Sequence, residues 1–271
     1  MQPGEAEPAG AATTGIRYTD GAAYELSIGQ WSQLAADGFL WLAPAPDLSW
    51  LDVGCGNGAF TERLVRRCAP RAVTGLDPAD AQLSYGRSRL AGCGVRFRQG
   101  DAMSLPFPHG AFDAAVMALV IFFLPEPARG VVEMARVVGR GGMVAAYAWD
   151  MTNGGFPYAA MQTAMAEVGV PPLLPPSAPT SRIDAMRALW IEAGLQLVEP
   201  IQYVVHRTYE SFEDLWSASC VAASVAPKLR DMAPAPLAAL KSRMRARATA
   251  DSSGRVRCSA RVTAVKGIVA R

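Results

Sequence analysis

The chain has 271 residues, a formal net charge of +2, 51% hydrophobic residues and 18% charged residues. That length and apolar share suit one large α/β domain with a cap, and a near-neutral balance gives no general pull toward nucleic acid or a membrane surface. Five dispersed cysteines with no Cys-x-x-Cys pair argue against a disulfide framework, and two histidines against a histidine-built metal site.

Residues 1–15 are Gly, Ala, Pro, Glu and Thr with no apolar period, and read as a disordered tail ahead of a single domain, 16–271. No basic start runs into an apolar leader, and the longest apolar stretch, 114–124, is too short to span a bilayer. The chain therefore reads as cytoplasmic. Residues 18–42 carry Tyr24, Ile28, Trp31, Leu34 and Phe39 at helical spacing. A first strand is expected over 50–53, a helix through Cys68, a second strand over 72–76 and a helix over 79–90. A third strand follows at 95–99, a loop at 100–110, a fourth strand at 113–117 and a helix from about Glu126 to Val138. The turn Gly139-Arg140-Gly141-Gly142 leads to a fifth strand, 143–149. This alternation predicts a doubly wound, mostly parallel sheet.

After Asp150 the pattern changes. Residues 151–182 hold two helical patches and a proline-rich run, too long for a plain connection. A helix is expected over 183–193, one strand or a pair over 195–208, helices over 212–223 and 227–248, and a last strand over 256–269.

The most informative stretch is Leu51-Asp52-Val53-Gly54-Cys55-Gly56-Asn57-Gly58. An apolar run breaks into three glycines and a helical pattern starts at once. Glycines let the backbone turn sharply and approach a ligand, and a helix start offers free N–H groups and partial positive charge. At the carboxyl end of a first strand this is a nucleotide-cofactor site. Gly54-x-Gly56-x-x-Ala59 also fits the dinucleotide fingerprint. Asp52, two residues before the first glycine, would repel a pyrophosphate and suits a ligand with a cationic head.

Strand ends in such a sheet face one crevice. Asp77, about twenty residues after the glycine turn, can accept two ribose hydroxyls. Asp101-Ala102-Met103 can read an adenine edge and pack on its face. Residues 117–120 would lie beside the reacting group. Singly, each Asp reads equally as a helix cap or turn residue; together they fit one ligand.

These residues resemble the class I S-adenosylmethionine-dependent methyltransferases, in the type 11, ubiquinone/menaquinone-biosynthesis-like group. Residues 51–58 look like the family's glycine motif, Gly75-Leu76-Asp77-Pro78 is similar to its ribose-binding acid, and Gly100-Asp101-Ala102-Met103-Ser104-Leu105-Pro106-Phe107 resembles its adenine loop. Phe112-Asp113 with Leu119-Val120 looks like its fourth strand. The resemblance covers roughly 20–150. It implies a Rossmann-like, seven-stranded sheet and S-adenosyl-L-methionine as cofactor, held by Asp52, Gly54, Cys55, Gly56, Asn57, Gly58, Asp77, Pro78, Gln82, Asp101, Ala102, Met103, Ala118 and Tyr24. Two departures stand out. Ile121-Phe122-Phe123 is apolar where the family often has histidine or asparagine, and Arg140 replaces a proline.

Outside the motifs, Asp150 ends the fifth strand on the crevice side and is the candidate base or acceptor contact. Residues 18–42 form an expected lid, and 151–181 with 211–248 an expected acceptor cap. The bulk of Met151, Phe156, Met161, Met165, Trp190 and Trp216 suggests a partly apolar acceptor. Lys228, Arg230, Lys241, Arg243, Arg245 and Arg247 make the 228–247 segment basic, which without interleaved aromatics reads as a solvated face rather than an RNA surface. The expected partner is a small or medium-sized methyl acceptor. The other readings are a non-catalytic S-adenosylmethionine-binding partner subunit and an NAD(P)-dependent oxidoreductase. The acceptor's identity and the oligomeric state have no signature in the sequence.

Overall fold

The computed structural model describes residues 28–42 and 44–270. The tail 1–15, Tyr24 and the first part of the expected lid lie outside them.

Seven strands form one sheet: β1 (Ser49–Val53), β2 (Ala72–Asp77), β3 (Arg96–Gln99), β4 (Phe112–Ala118), β5 (Val138–Trp149), β6 (Gln196–Tyr209) and β7 (Val256–Ile268). Their order is β3-β2-β1-β4-β5-β7-β6. The first five are parallel, and β7 runs antiparallel between β5 and β6. Central parallel strands are covered on both faces and need apolar residues at consecutive positions. Accordingly Trp50 to Val53, Ala114 to Met117 and Val144 to Ala146 are wholly buried, all apolar except Asp52.

The helices are α1 (Gln30–Gly38), α2 (Ala59–Cys68), α3 (Asp80–Arg89), α4 (Pro127–Val137), α5 (Ala159–Glu167), α6 (Ile183–Glu192), α7 (Phe212–Cys220), α8 (Ala226–Leu229) and α9 (Pro234–Arg245). Local chemistry sets several starts. Pro127 opens α4, where a missing N–H costs nothing. Ser211 caps α7 by accepting from the Asp214 N–H at 3.1 Å. Arg66 and Arg67 occupy the last turn of α2, favourable at the negative end of its dipole. Among the described residues no helix is long and apolar enough to cross a membrane.

Three expectations change. Strand β5 begins at Val138, because Val138 pairs with Phe112 and Gly141–Gly142 exchanges hydrogen bonds with Val269; the glycine turn is a bulge in the ladder, with Gly141 at φ +77°. Of the two readings open for 195–208, one strand or a pair, the structure has one, Gln196–Tyr209, with a register shift between Gln196 and Glu199. The helix expected over 227–248 is two, since Ala233 is extended and Pro234 starts a new helix. Where a continuous lid helix was expected, the described part ends in a 3-10 turn, Phe39–Leu42.

The N-terminal helix packs as part of the core. Trp31 is fully buried, donates to the Tyr209 hydroxyl at 3.0 Å and meets Trp149 edge-on. The Tyr203 hydroxyl donates to the Ala35 carbonyl at 2.6 Å.

Candidate functional site

Asp77 ends β2, Val53 ends β1 and Ala118 ends β4, while Asp101 follows β3 and Asp150 follows β5. All five strands are parallel, so these positions share the carboxyl edge of the sheet. Strand order reverses between β1 and β4, which is where open α/β sheets bind ligands.

The glycine turn is built against β2. The Gly54 and Cys55 N–H groups both donate to the Leu76 carbonyl, at 2.7 and 2.9 Å. Gly54, Gly56 and Gly58 all have positive φ, a region costly for other residues. Their surroundings differ. A side chain at Gly54 would strike Val120 at 2.5 Å, whereas one at Gly56 would meet nothing within 4 Å. Gly56 therefore borders open space that a ligand can fill. Gly58 precedes α2, and the nearly buried Asn57 accepts from the Ala59 N–H at 3.2 Å. Cys55 turns its thiol inward against β2, where burial holds it protonated, so only its backbone faces the turn.

Asp77 binds this turn directly. Oδ2 accepts from the Gly56 N–H and Oδ1 from the Ala79 N–H, each at 2.9 Å. Each oxygen keeps a lone pair for another donor. Burial raises its carboxyl above the usual range, against the pull of the two N–H groups. Asp52 is wholly buried on β1; Oδ2 accepts from Thr61 Oγ1 at 2.6 Å, and Oδ1 has no partner among the described residues. Burial pushes its carboxyl up to about 7, with the Thr61 hydroxyl lowering it and Asp77 raising it further.

The third loop is tied to the second strand by Gly100 N–H donating to the Asp77 carbonyl at 3.2 Å. Asp101 is exposed and its Oδ1 caps its own turn, accepting from Met103 N–H at 2.8 Å. Ala102 is buried and Met103 half-buried. Pro78 is exposed, and its carbonyl accepts from Gln99. Gln82 is buried on α3. Ala118 is half-buried at the end of β4, and next to it Leu119 is held at φ +62° by its N–H bond to the Tyr147 carbonyl. A non-glycine residue in that conformation is stored strain at the carboxyl edge of the sheet.

Asp150 lies on the expected edge, but its carboxylate is already committed. Oδ1 accepts from the Asn153 N–H and Nδ2, and Oδ2 from Arg261 Nη1, each at 3.1 Å. With no solvent exposure, it closes the turn at 150–155 and anchors β7. These contacts give Asp150 a structural part in the turn and at β7. Trp190, expected in the cap, donates to the Val144 carbonyl at 2.9 Å and belongs to the packing of α6 on the sheet. Four cations of the basic segment are paired: Lys241 and Arg245 with Glu213, and Arg243 and Arg247 with Glu167. The last two pairs tie α9 and the residues just past its end to α5, in the expected cap.

Sequence reasoning missed Thr61 and Arg261. Thr61 carried a weak signal, a polar residue on the face of α2 that also carries Phe60 and Leu64. Arg261 carried none, since it reaches Asp150 across 111 positions.

The family model described as a methyltransferase domain matches residues 51–146. A rice chloroplast 2-methyl-6-phytyl-1,4-hydroquinone methyltransferase is 43% identical over 93 residues, 34% of this chain and 27% of that protein. The demethylmenaquinone methyltransferase of Desulfitobacterium hafniense is 38% identical over 104 residues, 36% of this chain and 41% of its own length. The chain thus spans well under half of these relatives. Among solved structures, the YcgJ protein of Bacillus subtilis superposes with a TM-score of 0.59 at 15% identity, covering 88% of this chain and 98% of that one. A Haemonchus contortus phosphoethanolamine N-methyltransferase, in complex with phosphomonomethylethanolamine and S-adenosylhomocysteine, superposes at 0.57 with 15% identity, covering 92% and 57%. These likenesses establish a common fold. Over residues 51–146 the chain matches the methyltransferase-domain model, and the same stretch is similar to quinone methyltransferases.

Proposed function

We propose that this chain transfers a methyl group from S-adenosyl-L-methionine to a small or medium-sized, partly apolar acceptor in the cytoplasm. The observation that carries the reading is the unpartnered Oδ1 of Asp52, buried beneath the glycine turn. A buried carboxyl oxygen without a donor suits a cationic amine and disfavours a pyrophosphate. The space at Gly56 admits the ligand's approach, and Asp77 can accept the ribose hydroxyls through its remaining lone pairs. On this reading Asp101, Ala102 and Met103 receive the adenine ring.

When bound, S-adenosylmethionine supplies an activated methyl on a sulfonium. This chain's residues then orient the reactants and exclude water, worth several powers of ten in rate. Asp150 supplies no base, since the turn and Arg261 hold it. Residues 151–181 and 211–248 form the acceptor wall, with α5 and α9 clamped by Glu167. The names of the relatives make hydroquinones with an apolar tail the first acceptors to try.

The test is incubation of the purified chain with methyl-labelled S-adenosylmethionine and a series of hydroquinones of increasing tail length. Labelled product with stoichiometric S-adenosylhomocysteine supports the reading. Failure to methylate any hydroquinone, fatty acid or amine by a chain that binds the cofactor would leave a binding subunit in its place.

A further inference from the structure

Asp52 is a half-satisfied group at the centre of the site. It has no exposure; Thr61 Oγ1, equally buried on α2, donates to Oδ2 at 2.6 Å, and Oδ1 stands without a donor among the described residues. The neighbours that face it offer little to balance a negative charge. From β2 comes Asp77, a second carboxyl. From the glycine turn comes the Cys55 thiol, kept protonated by burial and by both acids, with Arg87 of α3 the cation whose field reaches it. From β4 comes apolar Val116, alongside in the ladder. From α2 comes the neutral Thr61 hydroxyl alone. No cation pairs with Asp52 among the described residues. A buried acid in such a place holds its proton to higher pH than an ordinary carboxyl, and a positive ligand favours its loss.

We propose that Thr61 is a positioning residue of the cofactor site, fixing Asp52 through Oδ2 and leaving Oδ1 open, so that docking of a cationic amine drives one proton off Asp52. The inference rests on the cofactor reading above and deepens it. The neutral carboxyl loses its proton to solvent, and the resulting carboxylate meets the ammonium group. No other bond forms or breaks. The hydroxyl stabilises the ionised form, so Thr61 sets the pH at which the site opens to its ligand.

The test is calorimetric titration of S-adenosylhomocysteine into the full chain, from about pH 5.5 to 8.5, in buffers of different ionisation enthalpy. Linkage requires affinity to rise roughly tenfold per pH unit on the acid side and to level off above about pH 7, with close to one proton released per ligand in the rising range. Thr61→Val should move the break to higher pH and weaken binding roughly tenfold near neutrality, with little change at the alkaline end, and Thr61→Ser should restore the profile. A flat profile in the unmodified chain overturns the inference while leaving the cofactor reading intact. So does a profile kept in Asp52→Asn, which would assign the proton to Asp77. Equal weakening of Thr61→Val at every pH gives the hydroxyl a merely structural part and overturns its assignment. Absence of binding at any pH overturns the cofactor reading itself.

Discussion

Replacing Asp52 by Asn should stabilise the ligand-free protein at alkaline pH and leave it unchanged in acid. Asp52 is wholly buried and its carboxyl titrates near 7, against 3.8 for an ordinary aspartate. Between those values the folded chain holds a proton that the unfolded chain has lost. The unfolded state binds fewer protons, so stability falls as pH rises, by up to about 1.4 kcal/mol per unit. Below about 4 both states are protonated and the penalty vanishes. Above about 7 both are ionised and it is at its full size. The interval of roughly three units corresponds to a penalty on the order of 4 kcal/mol. Asp77 shifts in the same direction and adds slope of the same sign. Asparagine keeps an acceptor for Thr61 and presents a buried N–H where the protonated acid presents an O–H, so the two proteins match in acid. The assay is urea unfolding followed by tryptophan fluorescence, since Trp31, Trp50, Trp149 and Trp190 are all buried reporters. The variant should gain several kcal/mol over the parent at pH 8 and nothing near pH 4. Parallel stability curves across that range would refute the raised Asp52 and the burial argument beneath it.

The same geometry fixes three further outcomes. Asp77→Ala should weaken S-adenosylhomocysteine binding by about 2–4 kcal/mol in titration calorimetry, because it removes a charged acceptor and frees the Gly56 N–H; unchanged affinity would sink the ribose assignment. Gly56→Val should fold with a penalty of roughly 1–2 kcal/mol for its left-handed backbone yet lose cofactor binding, since its side chain enters open space, whereas Gly54→Ala should also disturb the packing of Val120. Normal binding by Gly56→Val would move the site elsewhere. Asp150→Asn should cost about 1–3 kcal/mol of stability through the lost Arg261 pair, measured by thermal unfolding, and leave turnover within a few-fold. A loss of about 10²–10⁴ in turnover would return Asp150 to the role of base.

Much of the site is legible in the sequence because its signals are local. Three glycines in five positions follow an acid, and the structure gives each a positive φ. Asp77 and Asp101 are found by counting strands, and both land on the predicted edge. What stays hidden depends on partners distant in sequence. Asp150 reads as a free acid until Arg261 arrives from β7. Strand β5 reads as starting at Met143 until Phe112 and Val269 pair with the residues before it. The apolar bulk of Trp190 and Met161 looks like a binding wall, and only the packing shows that both are core. The break before Pro234 has a local cause, since Ala233 is extended and prolines stand at 234 and 236.

The central claim is that the crevice at the ends of β1, β2 and β3 holds a nucleoside with a cationic amino-acid tail. Titration of the full chain with S-adenosylhomocysteine and, separately, with NADH and NADPH at about pH 8 tests it most directly. The account predicts saturable one-to-one binding of S-adenosylhomocysteine, abolished in Gly56→Val and weakened in Asp77→Ala, with no heat from either dinucleotide. Saturable binding of NADH or NADPH, with none of S-adenosylhomocysteine, would contradict it.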